Sequence, residues 1–252
     1  MTRPGTTRIG VLTPSSNTVL EPLTAAMAAG LPGVSVHFSR FPVTEIALTP
    51  GALAQFDEDA VLRAAELLAH ARVDAIVWSG TSASWLGFET DTALCARIQA
   101  ATGIPATTSI LALNAALAQT GVRRLGLVTP YRGDVQDRII ANYAGLGITC
   151  VAERHAGLQD NFSFAEVGAG PLDAMVRAVA AAAPDAIAVV CTNLGAAPLV
   201  AGWEASLGLP VYDSVATALW GCLGLASRAA PLAGWGSLFS LVPPVPPPPS
   251  PT

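Results

Sequence analysis

Charge is scarce in this sequence of 252 residues, and lysine is absent. Only 12% of the residues are charged, the formal net charge is -5, and all 13 basic residues are arginines. The absence of lysine excludes a Schiff-base lysine, a pyridoxal phosphate attachment site and the lysine of a phosphate-binding P-loop. Because the net charge is negative and no basic stripe is present, we expect no nucleic-acid partner.

Histidine and cysteine are also few, and long uninterrupted apolar runs are missing. The three histidines and four cysteines show none of the paired spacings typical of zinc sites, so we expect no metal. The alanine- and valine-rich residues 178–203 are interrupted by proline and polar residues, whereas a membrane-spanning helix needs about 20 apolar residues. No apolar run typical of a secretory signal follows Met1. We therefore expect a cytoplasmic protein with reduced thiols and no membrane association.

Apolar residues make up 52% of the chain, and short motifs built from them occur twice. This fraction is sufficient for the core of one large domain or two small ones. Three motifs recur in the same order: residues 8–14 match 124–130, residues 73–77 match 184–189, and residues 103–105 match 208–210. We infer a duplicated unit whose loops differ in length.

Each copy alternates continuous apolar runs with helical patterns. The apolar runs, typical of strands buried on both faces of a parallel sheet, are residues 9–12, 75–78, 125–128 and 186–190. The helical patterns are residues 53–71, 94–101, 111–119, 135–144, 172–183 and 215–226. This order predicts an α/β fold of two pseudo-symmetric, doubly wound parallel-sheet halves, with the active site in the cleft between them.

The repeats also suggest how the chain divides. We predict a first half made of residues 1–118 together with a returning C-terminal segment, 209–242. Residues 119–208 form the second half. The last ten residues, 243–252, include seven prolines, which predicts a disordered tail.

Small and polar residues follow equivalent strands in the two copies. Gly80-Thr81-Ser82 follows one apolar run, and Cys191-Thr192 follows its counterpart, so that Gly80 faces Cys191 across the pseudo-twofold. Hydroxyl groups and backbone N–H groups at such strand ends are good donors to a carboxylate or an oxyanion. These residues are therefore candidates for a carboxylate site.

Five motifs carry a family resemblance. They are VLTPSSNT at 11–18, SGTSASW at 79–85, TPYRGDV at 129–135, DNFSF at 160–164 and VVCTN at 189–193. They resemble the Asp/Glu racemase superfamily, and within it the arylmalonate decarboxylase and maleate cis-trans isomerase branches. The resemblance runs from about residue 8 to residue 242.

The resemblance implies a specific chemistry at the two facing positions. Racemases and maleate isomerases have a cysteine in each half, but this chain has Gly80 at the first position, and glycine can neither abstract a proton nor add to an alkene. Arylmalonate decarboxylases have a glycine there and retain the second cysteine. The implied function is a decarboxylase of substituted malonates that uses no cofactor, in which Cys191 protonates an enediolate from one face and yields one enantiomer.

The same resemblance implies which residues bind the substrate, a small mono- or dicarboxylate. Thr81, Ser82 and Tyr131 would donate to the retained carboxylate, with backbone N–H groups near Thr192. A structural role is open for several of them: Ser82 fits a helix cap, and Tyr131 fits an aromatic residue at the pocket lip.

Two alternatives stay open. Asn17 and Asn161 resemble carboxylate ligands of maleate isomerases, and Thr192-Asn193 after the cysteine is also isomerase- or racemase-like. A maleate cis-trans isomerase or a racemase is therefore the second hypothesis. Asn17 fits a helix cap equally well. A non-catalytic binder of small carboxylates is the third hypothesis. The sequence is compatible with a homo-oligomer but does not specify one.

Overall fold

The computed structural model describes residues 5–54 and 58–244, which contain two four-stranded parallel sheets. The first sheet has the strand order β2-β1-β3-β4 and consists of β1 (Thr7–Pro14), β2 (Val34–Phe41), β3 (Ala75–Trp78) and β4 (Ala106–Thr108). The second has the order β6-β5-β7-β8 and consists of β5 (Arg124–Thr129), β6 (Thr149–His155), β7 (Ala186–Val189) and β8 (Val211–Asp213). The matching orders confirm the predicted fold class of two pseudo-symmetric α/β halves.

Helices flank both sheets. Those of the first half are α1 (Leu20–Ala29), α2 (Pro50–Ala54), α3 (Glu58–His70), α4 (Ala83–Leu86), α5 (Phe88–Thr102) and α6 (Ser109–Gln119). The later ones are α7 (Gly133–Gly145), α8 (Ala169–Ala180), α9 (Val200–Leu207) and α10 (Ser214–Leu225). The single helix predicted over residues 53–71 is α3 preceded by the end of α2, and residues 55–57 lie outside the described part of the chain. None of the described helices is long and apolar enough to cross a membrane.

The central strands follow directly from their sequences. All four residues of β3 and all four of β7 are buried, as expected for apolar runs covered by helices on both faces. The strand β2 was not predicted, because it lies at the sheet edge and includes polar residues such as His37, Ser39 and Arg40. An edge strand has one free side, so it tolerates such residues.

The repeated Gly-X-Pro motif ends a helix in each half. Gly103 and Gly208 have φ angles of 72° and 70°, the left-handed conformation that glycine adopts readily, and their N–H groups bond to Gln99 and Glu204. The chain then turns into β4 in the first half and β8 in the second. This motif therefore places two equivalent edge strands.

The C-terminal helix α10 links the halves. It follows β8, which pairs with β7 in the second sheet, yet it packs against α6, β3 and β4 of the first half. The predicted division gave residues 209–242 to the first half, and β8 departs from it because its backbone hydrogen bonds are made with β7. The division as a whole stays a prediction, and all but the first two residues of the predicted tail lie outside the described residues.

Candidate active site

A buried pocket lies where the carboxyl ends of β1, β3, β5 and β7 meet, in the cleft between the halves. Seven of the eight predicted site residues line it: Gly80, Thr81, Ser82, Tyr131, Asn161, Cys191 and Thr192. Its remaining walls are apolar: Pro14, Val43, Ile46, Trp78 and Trp85. Open α/β sheets bind ligands at this edge, so the pocket is the candidate active site.

Gly80 and Cys191 occupy equivalent positions in the two halves. β3 ends at Trp78 and β7 ends at Val189, so each residue comes two positions after its strand. The pairing of Trp78 with Leu12 corresponds to the pairing of Val189 with Val128. The pocket therefore has a thiol at one of two symmetric positions and no side chain at the other.

Cys191 is a buried thiol that holds its proton. Burial raises its pKa to about 12, and the charge of Asp213 adds to that increase. Three groups act in the opposite direction: the backbone N–H of Asn193, 3.3 Å from Sγ, the N–H of Leu194 and the Tyr131 hydroxyl. At neutral pH the group is therefore a thiol with hydrogen-bond donors already placed to stabilise a thiolate once the proton has left.

Tyr131 joins the two halves beside the thiol. Its hydroxyl lies 2.6 Å from Oγ1 of Thr81, and its ring packs edge-on against Trp85 and Phe164, with centroids 5.2 and 5.5 Å away. Burial raises its pKa well above the ordinary value, so it stays a neutral phenol. Thr81 and Tyr131 thus form a fixed pair of neutral hydroxyls at the pocket, suited to hold an anionic oxygen.

Asn17 is the predicted site residue that does not line the pocket. Its Oδ1 accepts from the N–H groups of Val19 and Leu20, both at 2.9 Å, at the start of α1. Its Nδ2 donates to Oγ1 of Thr192 across the cleft, at 3.2 Å. Both ends of the amide are engaged within the protein, which is the capping arrangement.

Asn161 lines the pocket and belongs to a polar network between the halves. Its Nδ2 donates to Oγ of Ser16 at 2.7 Å, and its backbone carbonyl oxygen accepts from Nδ2 of Asn193 at 2.6 Å. Oδ1 of Asn193 in turn accepts from the N–H of Thr18 at 3.0 Å. Asn193 was predicted as part of the isomerase- or racemase-like pair after Cys191 but not as a site residue.

Two loop segments, one from each half, meet at the pocket. The N–H of Ile46 donates to the carbonyl of Gln159, and the N–H of Asn161 donates to that of Thr44, both at 2.9 Å. This short antiparallel contact holds Val43, Ile46 and Asn161 at the pocket wall. It was not predicted, because neither segment carries a strand pattern.

Arg40 lies outside the pocket wall. Arg40 donates through Nε to Glu21 at 2.9 Å and through Nη1 to the carbonyls of Ser15 and Asn17. Its charge is partnered by Glu21, and it pins the loop after β1. Within the described residues that line the pocket, Cys191 and Tyr131 are the only ionisable side chains.

The remaining cysteines lie elsewhere. Cys95 and Cys150 are half-buried, Cys222 is buried, and none of the three lines the pocket. Burial raises the pKa of each. In the part of the chain that the structure describes, no group of three His, Cys, Asp or Glu side chains is arranged to hold a metal ion.

Sequence and structure comparisons give the relatives of this chain. The arylmalonate decarboxylase family model matches residues 10–239. The arylmalonate decarboxylase of Bordetella bronchiseptica is 34% identical over 166 residues, which cover 64% of this chain and 68% of that protein. The maleate isomerase of Nocardia farcinica is 25% identical over 246 residues, which cover 93% of this chain and 96% of that one.

A solved structure agrees with both the fold and the family. It is a liganded arylmalonate decarboxylase in which a glycine is changed to cysteine and a cysteine to serine. The match has a TM-score of 0.81 and 27% sequence identity, and it covers 93% of this chain and 99% of that one. The predicted resemblance is thus confirmed, and the similar proteins include both decarboxylases and isomerases.

Proposed function

The chain belongs to the arylmalonate decarboxylase family, and from this premise we propose that it decarboxylates substituted malonates without a cofactor. In the proposed reaction the bond between the α-carbon and one carboxylate breaks, and CO2 leaves. The electron pair stays behind as an enediolate. Cys191 then gives its thiol proton to the α-carbon, and the resulting thiolate regains a proton from water.

The observation that carries this proposal is that only one of the two symmetric positions has a thiol. Racemisation needs an acid/base group on each face of the reacting carbon, and covalent isomerisation needs a nucleophile. Decarboxylation needs only one acid, after the carbon–carbon bond has broken. Gly80 supplies no group, and burial keeps Cys191 protonated, which suits a proton donor better than a nucleophile.

The retained carboxylate would lie against the neutral donors. The Thr81 and Tyr131 hydroxyls, 2.6 Å apart, line the same space as Ser82 and Thr192. Their dipoles are fixed before the reaction begins, so they stabilise the enediolate oxygens without having to reorganise. Because one hydroxyl of the neutral pair donates to the other, the proton of the accepting hydroxyl is the one available to the substrate.

The departing carboxylate would lie against the apolar walls, which include Val43, Ile46 and Pro14. An anion is poorly solvated there, whereas neutral CO2 is not penalised. Arg40 does not oppose this, because Glu21 partners its charge and it does not line the pocket. The pocket thus offers a polar side for the charge that persists and an apolar side for the charge that is lost.

A maleate isomerase is the second candidate. Asn161 lines the pocket, and the similarity to the Nocardia farcinica enzyme extends over 93% of the chain. Against it stand the missing first-half thiol and the capping arrangement of Asn17, whose Oδ1 accepts two backbone N–H groups. The isomerase therefore ranks below the decarboxylase.

Proton NMR of the purified enzyme tests the choice. 2-Methyl-2-phenylmalonate and maleate are supplied in separate tubes, and Cys191→Ala and Cys150→Ala are compared with the wild type. We expect 2-phenylpropionate from the first tube and no fumarate from the second. Cys191→Ala should lose about 10²–10⁴-fold in rate, the usual contribution of a general acid, and Cys150→Ala should keep it.

Two outcomes contradict the proposal. Fumarate formation without decarboxylation would favour the isomerase. Full decarboxylation by Cys191→Ala would remove Cys191 from the mechanism. The control cysteine is half-buried in β6 and does not line the pocket, so its substitution tests only the general effect of losing a thiol.

A further inference from the structure

The indole of Trp78 lies over Gly80. Residues two apart along a strand direction point to the same side, so the Trp78 side chain shares a face with position 80. A Cβ placed on Gly80 would overlap Cζ2 and Cε2 of Trp78 and would lie 2.6 Å from Cη2. The ring thus fills the volume that a side chain at position 80 would need.

The ring has little freedom to give way. Trp78 is only 2% exposed, and its ring packs on Phe41 with centroids 4.8 Å apart and an angle of 47° between the planes. Trp78 is the last residue of β3, and its backbone pairs with Leu12 on one side and Thr108 on the other. The indole is therefore a fixed wall of the pocket.

The backbone itself does not require glycine at position 80. A tight turn with positive φ would explain a glycine, but Gly80 is not among the glycines with positive φ. The three heavy atoms nearest to a Cβ at this position all belong to the indole. Trp78 and Gly80 therefore act as one unit in which the indole replaces the missing side chain.

We propose that Trp78 determines the specificity of this site by occupying the first-half acid/base position with a group that cannot ionise. The inference rests on the proposed decarboxylase function and deepens it. The indole closes the face of the substrate carbon opposite Cys191, so protons reach that carbon only from the Cys191 side. It also limits the size of the substituent that the substrate can direct to that face.

A thermal unfolding cycle tests the physical coupling without using activity. The variants are Gly80→Ala, Trp78→Leu and the double variant. Gly80→Ala should lower Tm by about 3–10 °C because it overpacks the pocket, whereas the same change in the Trp78→Leu background should shift Tm by less than about 2 °C. Equal shifts in the two backgrounds would overturn the proposed coupling.

A second experiment tests the closed face. Enantiopure 2-phenylpropionate is incubated in D2O with the wild type, Trp78→Leu, Gly80→Cys and the double variant Trp78→Leu/Gly80→Cys, and α-deuterium is followed by NMR. The double variant should exchange at least about 10-fold faster than each single variant, because only it has a second thiol with room to act. Conversion to the opposite enantiomer, read by chiral analysis of the same samples, should occur only in the double variant, and adding Cys191→Ala should abolish it, because inversion needs a thiol on each face of the carbon.

The outcomes separate this inference from the proposed function. If Gly80→Cys alone exchanges as fast as the double variant, the indole does not close the face and the inference fails. If the double variant fails to exchange while the wild type decarboxylates, the inference also fails and the function stands. Exchange by the double variant without decarboxylation by the wild type would contradict the proposed function and leave the inference about Trp78 standing. If no variant acts on either compound, the thermal cycle decides the coupling.

Discussion

The two halves of the molecule share one strand order, yet equivalent strand ends carry different chemistry. After β7 the second half has Cys191, a buried thiol that keeps its proton at neutral pH. After β3 the first half has Gly80, covered by the indole of Trp78. The two sheets thus have the same strand order, but only the second half places a thiol at this position. A few residues at the strand ends are enough to make the site asymmetric.

A second difference lies at the N-termini of α6 and α10. Thr108 caps α6 and donates to the buried carboxylate of Asp91, whereas Asp213 caps α10 with its own carboxylate. Burial raises the pKa of Asp91 and of Asp213 to about 7. The charge of Asp213 raises the pKa of Cys191, while that of Asp91 acts on Cys95. The second half therefore couples its capping carboxylate to the thiol of the candidate active site.

The largest expected effect comes from removing these carboxyls. A pKa raised from 3.8 to about 7 stabilises the folded state fully below about pH 4, and that stability is lost as the pH rises to about 7. In the wild type this group should lower the free energy of unfolding by about 4 kcal/mol between these pH values. Asp213→Asn keeps a capping residue and should abolish this decrease. Guanidinium unfolding at pH 4 and pH 8 measures the difference.

Asp91→Asn is the matched variant in the other half. It should flatten the pH dependence of stability in the same direction, because burial is the main cause of the shift in both groups. Only Asp213→Asn should lower the pKa of Cys191, read from the pH dependence of alkylation at that residue by mass spectrometry. Identical Cys191 titrations in the two variants would show that the second half has no special coupling.

Tyr131→Phe should have a smaller effect. It removes a neutral donor from the pocket and leaves the ring that packs against Trp85 and Phe164, so kcat should fall by about 10–10²-fold with little change in Tm. Tyr143→Phe is the matched control, because Tyr143 is equally buried, its hydroxyl has no hydrogen-bond partner among the described residues, and it does not line the pocket. Equal kcat losses in both variants would argue against Tyr131 as a substrate ligand.

The smallest expected effect concerns Asn17. Asn17→Ala removes the acceptor for two N–H groups of α1 and should lower stability by about 1 kcal/mol, while Asn17→Asp keeps the acceptor and should lose less. Denaturant unfolding compares the two. If both variants instead raise KM more than about 10-fold without loss of stability, Asn17 binds substrate and the isomerase candidate gains.

The sequence was sufficient to predict the duplication and the central strands. Runs such as residues 75–78 are apolar throughout because both faces of the strand are covered, and their repetition indicates two similar sheets. The edge strand β2 was missed because its burial is partial and its sequence is mixed. The helix α1 was missed as well, although Asn17, whose Oδ1 accepts two N–H groups at the start of this helix, was recognised as a candidate cap.

The site was predictable as a set of residues but not as a geometry. Position after a buried strand identified Gly80, Thr81 and Cys191, because strand ends converge in this fold. Whether the Asn17 amide faces the pocket or caps a helix depends on local backbone geometry that its motif does not specify. The fold-back of Trp78 over Gly80 depends on a side-chain rotamer, and the sequence offered no signal for it.

The most direct test of a one-sided site is the stereochemistry of the product formed in D2O. Wild-type enzyme is given 2-methyl-2-phenylmalonate, and the 2-phenylpropionate is analysed for deuterium at the α-carbon and for enantiomeric excess. We expect one deuterium per molecule and essentially one enantiomer, because in the proposed mechanism Cys191 delivers the proton and Trp78 closes the opposite face. A racemic product that depends on Cys191 would contradict it.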